Sequence, residues 1–149
     1  MSSLQVKWKT YFGGTGSTPA VVTVDGTPMV FIPNGSGTIF AMNAASGVII
    51  WQLQLPVTAV SSSPTVVNKR LYVGGGDGRL YAVKVSATAG SVLWSYPRNP
   101  AVYSYVYSSP VVVSGIGGAG AASFSGLHLA DTHVAGGNDW SRGMVDPCD

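Results

Sequence analysis

The chain has 149 residues, with 8 Lys and Arg against 6 Asp and Glu, a formal net charge of +2 and only 9% charged residues. At 46% hydrophobic and 10% aromatic it is too apolar to be disordered, and with no Glu at all it lacks the composition of a long helix or coiled coil. The basic surplus is too small to neutralise a phosphate backbone, no apolar stretch is long enough to span a membrane as a helix, and the single Cys148 closes no internal disulfide.

Met1 to Thr10 reads MSSLQVKWKT, with Lys7 and Lys9 where a secretory signal needs an apolar run. Read as it stands, the chain stays where it is made, and its compartment is left open. Ala20 to Val24 then reads as a strand. Asp25-Gly26 follows, and Met29 to Ile32 is the next strand. Asp-Gly between two apolar runs predicts a two-residue hairpin, because both central residues of a type I′ turn need positive φ. Asn34 to Gly37 makes another turn, Thr38 to Met42 a third strand, and Val48 to Trp51 a fourth after Asn43 to Gly47. Four short antiparallel strands are therefore predicted over residues 20–53.

That unit recurs. Trp8, Trp51, Trp94 and Trp140 are spaced by 43, 43 and 46 residues. Ser/Thr-Pro pairs at Thr18-Pro19, Ser63-Pro64 and Ser109-Pro110 are spaced by 45 and 46, and a glycine (Gly47, Gly90, Gly136) stands four before the last three tryptophans. Asn34-Gly35-Ser36-Gly37 is echoed by Gly75-Gly76-Asp77-Gly78, and Ile39-Phe40-Ala41-Met42 by Leu80-Tyr81-Ala82-Val83. A period near 43 with four strands in each predicts an all-β fold, a partial β-propeller of four-stranded antiparallel blades. A lone blade exposes two apolar faces, so neighbours must cover them, and one tryptophan per repeat suits that interface.

The stretch from Ser62-Ser63-Pro64 through Leu71-Tyr72-Val73, Gly76-Asp77-Gly78-Arg79-Leu80-Tyr81-Ala82-Val83 and Gly90 to Trp94 resembles a pyrroloquinoline-quinone-type (quinoprotein-like) propeller repeat. Blades of that family end in a tryptophan-docking motif. Ala41, Asn43, Ser46-Gly47 and Trp51 match it in order and spacing. Ala82, Gly90 and Trp94 match with a two-residue insertion and with Lys84 at the usual Asp position, whereas Ala130, Gly136 and Trp140 match in skeleton only. The resemblance implies a structural docking role for Trp8, Trp51, Trp94, Trp140, Ala41, Gly47, Ala82 and Gly90.

The expected organisation is an outer strand of a preceding or closing blade at 1–16, blades at 17–56 and 57–97, and a degenerate or incomplete blade at 98–149 with a poorly ordered tail. Trp8 reads either as a ring-closing strand or as the remnant of a blade cut away. One strand and three units are too few to close a ring of about 4 to 8 blades, so a piece of a larger propeller is expected. Unclosed faces and strand edges invite a protein partner or self-association.

Chemistry is sparse. Gly115 to Gly120 fits G-x-G-x-x-G after Val111 to Val113, with Asp139 at a dinucleotide-like distance, but no helix pattern follows and a glycine-rich hairpin explains it better. His128, Asp131 and His133 could ligate a metal, yet strand alternation puts the two histidines on opposite faces. Gly74 to Arg79 has the glycines of a phosphate cradle without its Lys-Ser/Thr, and reads as a hairpin turn. Asn34-Gly35-Ser36 is formally a glycosylation acceptor in a turn, and Lys7, Lys9 and Lys69-Arg70 read as solvated strand ends.

Two functions follow from the resemblance. One is a non-catalytic scaffold or protein-binding module, as in outer-membrane assembly lipoproteins and sensor domains of this family, with no cofactor. The other is part of a quinoprotein dehydrogenase that oxidises alcohols or sugars with the quinone (PQQ) and Ca²⁺. Such enzymes need acidic ligands and a general-base carboxylate, which this chain does not supply as a complete set. No catalytic, cofactor-binding or metal residue is assigned.

Overall fold

The computed structural model describes residues 5–96, 106–112 and 127–128. All its regular elements are strands. β1 (Ala20–Val24), β2 (Thr27–Pro33), β3 (Thr38–Asn43) and β4 (Ile49–Gln54) form one antiparallel sheet in that order. β5 (Thr65–Val67), β6 (Arg70–Gly74), β7 (Leu80–Val85) and β8 (Gly90–Tyr96) form a second. β9 (Val111–Val112) pairs with β10 (Leu127–His128), the first pairing of a third unit.

The hairpins follow local chemistry. Val24 pairs with Thr27 across Asp25-Gly26, whose φ values of 50° and 78° define the predicted I′ turn. The second sheet makes the same turn with Asn68-Lys69 at 48° and 60°, although Lys carries no turn signal. At the opposite end Gly37 and Gly78 take φ of 85° and 78° in two loops with matching backbone bonds. Asn34 N–H and Gly75 N–H donate to Thr38 O and Arg79 O.

β2 and β3 are buried on both sides, so they read as unbroken apolar runs rather than alternating ones. Met29, Phe31, Ile39, Ala41 and Trp51 face the second sheet and pack on Leu71, Val73, Tyr81, Val83 and Val85. Val30, Ile32, Phe40 and Met42 face the other way and are covered by Trp8 and Phe12. Residues 5–16 belong to no strand, yet they run along that face. Trp8 contacts the β3–β4 loop and Asn34 Nδ2 donates to Phe12 O at the far end.

The Ser/Thr-Pro pairs line up from unit to unit. Thr18 N–H donates to Ser63 Oγ at 2.8 Å, Ser62 Oγ to Ser108 O at 2.9 Å, and Thr65 Oγ1 to Pro110 O. The repeat phase in the sequence is thus a spatial contact, with β1, β5 and β9 as neighbours. The described residues form an unclosed arc of β-propeller blades.

Candidate functional site

Each described sheet carries one row of three residues across its last strands. Phe31 pairs with Ala41 and Ala41 with Trp51; Tyr72 pairs with Ala82 and Ala82 with Trp94. Residues paired in register share a face. The methyl group between them leaves room for the rings to meet, with centroids 5.7 Å apart for Phe31–Trp51 and 6.1 Å for Tyr72–Trp94. A β-bulge precedes each tryptophan: the register shifts between Ala41 and Met42 and between Ala82 and Val83, leaving Ile50 and Leu93 as extra residues. Such a bulge twists the outer strand and re-aims its side chains.

Trp51 points out of its own sheet and onto the next. Its indole N–H donates to Ser86 O at 3.1 Å, and its ring lies against Gly90, where an added Cβ would be 2.6 Å from Cη2 and Cζ3. Trp8 repeats the arrangement one blade earlier. Its N–H donates to Ala44 O at 3.1 Å, its ring covers Gly47, and Thr10 Oγ1 donates to Gly47 O. Gly47 has φ of +72° as well, so both its backbone and its lack of a side chain are used.

The eight residues singled out in the sequence therefore separate. Trp8 meets Gly47, Trp51 meets Gly90, and Ala41 and Ala82 underlie Trp51 and Trp94. Trp140 and Gly136 lie outside the described residues, as do the Gly115 to Gly120 run, Asp131, His133, Asp139 and Cys148. His128 stands in β10 opposite Val111.

The two carboxylates of the described residues are both engaged, at opposite ends of the blades. Asp25, in the β1–β2 turn, pairs with Lys69 Nζ at 2.5 Å and accepts Ala87 N–H at 3.1 Å, tying the first sheet to the second. These contacts, the Lys69 hydrogen bond first, hold its pKa below the ordinary carboxylate value. Asp77, in the β6–β7 turn, accepts Arg79 Nη1 and Tyr81 Oη at 2.7 Å each, and Arg79 N–H at 3.3 Å. Burial, then the hydrogen bond and charge of Asp77, push Tyr81 up to about 12. The Gly74 to Arg79 stretch is a hairpin turn closed by its own acid, the opposite of a phosphate cradle. Asn34 is buried with its Nδ2 donated to Phe12 O and its Oδ1 accepting Ser36 and Thr38 N–H, so its amide is committed to the turn.

Among the described residues no three of His, Cys, Asp and Glu cluster where they could hold a metal, and no helix is long and apolar enough to cross a membrane. The two described carboxylates stand at opposite blade ends, and each is already bonded within the protein.

Repeated four-stranded sheets, with Trp8 docked on the first and Trp51 carried from the first onto the second, define a β-propeller of the pyrroloquinoline-quinone-like repeat class. A family profile described as outer membrane protein assembly factor BamB matches residues 5–147, and the chain belongs to that family. Outer membrane protein assembly factor BamB of Yersinia pestis is 35% identical over 94 residues, covering 60% of this chain and 23% of that protein. Among solved structures, BamB from Moraxella catarrhalis aligns with a TM-score of 0.45 at 26% identity, covering 57% of this chain and 25% of that one. A europium-containing methanol dehydrogenase aligns at 0.39 and 24%, covering 51% and 14%. The chain thus spans less than a quarter of the length of the curated relative it matches.

Proposed function

We propose that the chain is a non-catalytic propeller module that binds protein and contributes blades to a larger ring, with no quinone or metal of its own. The observation that carries this reading is the paired docking of Trp8 on Gly47 and Trp51 on Gly90. It spends the conspicuous aromatic residues of each repeat on holding blades together. The described carboxylates are likewise spent on turns and on the blade contact. Family membership, and the naming of the relatives as outer membrane protein assembly factors, support a scaffold role over an oxidative one. On the forward face of the second sheet, Val112 of the third unit packs against Tyr72, Leu80, Ala82 and Trp94, as one blade packs on the next. The unpaired strand edges of an open arc are suited to another blade, a protein partner or a second copy.

Calorimetric titration of pyrroloquinoline quinone with Ca²⁺ into the purified chain tests the non-catalytic part. The expected result is no saturable heat. Saturable, Ca²⁺-dependent quinone binding with dye-linked alcohol oxidation would overturn it in favour of a quinoprotein dehydrogenase.

A further inference from the structure

The hairpin topology gathers charges that are scattered in the sequence. The β1–β2, β3–β4, β5–β6 and β7–β8 connections all open at one end of the two sheets, and the Asp25–Lys69 and Trp51–Ser86 contacts show that this end is shared. Lys69 lies in the β5–β6 turn, and Lys84 sits one residue before the end of β7. Lys7 and Lys9 flank Trp8, whose indole bonds Ala44 O in the β3–β4 loop, so they belong to this end as well. All four lysines are exposed. Arg70 opens β6 beside Lys69, paired in register with Lys84. Among the described residues the sole carboxylate here is Asp25. At the opposite end Asp77 and Arg79 match one to one. Among the described residues the first of these ends therefore carries Lys7, Lys9, Lys69, Arg70 and Lys84 against Asp25.

We propose that this basic end is a docking surface for an acidic protein segment in which carboxylates alternate with apolar side chains. The surface offers both kinds of contact. Val6 and Val48 stand exposed among the lysines, at 71% and 63%. A pocket lined by Lys84, Ser86, Ala89, Gly90 and Ser91 opens beside Lys84 and gives one acidic side chain a concave seat. That seat favours a peptide over a lipid surface, which has no side chain to insert. Complementary charge of this kind sets encounter rate and selectivity, and it weakens with salt. The inference rests on the binding-module reading and adds the face and the chemistry of the partner.

The test uses the full chain and a dye-labelled synthetic peptide alternating Glu with Val, read by fluorescence anisotropy at low and moderate salt. A matched peptide with Gln for Glu and vesicles of phosphatidylglycerol are the comparison probes. The expected result is salt-sensitive binding of the Glu peptide, weakened about tenfold in the triple variant Lys7→Gln, Lys9→Gln, Lys84→Gln. Circular dichroism checks the fold of that variant, and the single reversal Lys84→Glu replaces it if the triple change unfolds the chain. Binding unchanged by the substitutions, no binding of the Glu peptide, or binding to vesicles alone would overturn the proposal. Equal binding of the Gln peptide would remove the basic face and leave the binding module standing. Quinone binding in the calorimeter would remove the module reading and leave the peptide result intact.

Discussion

Phe31 and Trp51 meet across Ala41, their ring centroids 5.7 Å apart, because the residue between them in the sheet has only a methyl group. Ala82 does the same for Tyr72 and Trp94. Both alanines are fully buried. Larger side chains there push the rings apart rather than fill space. Ala41→Val should destabilise the chain by about 1–3 kcal/mol, as overpacking does, despite its higher strand propensity. Urea unfolding followed by tryptophan fluorescence measures this, and a neutral or stabilising result would contradict the spacer role.

Gly47 and Gly90 occupy the same place under a tryptophan but differ in backbone. Gly90→Ala meets only the Trp51 ring, so the expected loss is about 1–3 kcal/mol with a red-shifted indole emission. Gly47→Ala meets the Trp8 ring and adds left-handed backbone strain at φ of +72°, a further cost of about 1–2 kcal/mol. Thermal unfolding of the two variants should therefore rank Gly47→Ala as the more damaging.

Asp25 links stability to acid. Its folded pKa lies below the ordinary carboxylate value, first through the Lys69 hydrogen bond and then the Ala87 N–H. Its contribution is present above the unfolded pKa and is lost as pH falls through the folded one. Asn tolerates the positive φ of the turn, so Asp25→Asn removes the charge without straining the backbone. Wild type should exceed the variant in Tm at neutral pH, and the two should converge in acid and in high salt. A constant gap across pH would show that the charge is idle.

Tyr81 gives the opposite limb. Its hydroxyl is raised to about 12 by burial and by Asp77, above the ordinary value of 10.0. The neutral form is favoured in the fold, so its contribution is complete below about 10 and disappears as pH rises through about 12. The stability advantage of wild type over Tyr81→Phe should shrink over that alkaline range. Ultraviolet titration of tyrosinate should show a late-ionising component in wild type that is diminished in the variant. An ordinary titration for that residue would contradict its burial.

Much of this was legible in the sequence because hairpins are local. Asp25-Gly26 announces its turn, and the apolar runs at Met29 to Ile32 and Leu80 to Val83 mark strands covered on both faces. Asn68-Lys69 did not announce the second I′ turn, because Lys is held at positive φ by register and neighbours rather than by its own preference. The bulges at Ile50 and Leu93 leave no mark in composition. The phase of the tryptophans and glycines identified a set, but not the partners within it. Which glycine lies beneath which indole depends on how one sheet stacks on the next. For the same reason Lys7, Lys9 and Lys69-Arg70 read as separate solvated strand ends, and only the stacking brings them to one end of the sheets.

The most direct test is nuclear Overhauser spectroscopy of the two docked indoles. The account predicts cross-peaks from the Trp51 ring to Gly90 Hα and from the Trp8 ring to Gly47 Hα, with both indole N–H protons protected from exchange. Cross-peaks from Trp51 to Gly47 in its own blade instead, or rapidly exchanging indole protons with no glycine contact, would contradict it.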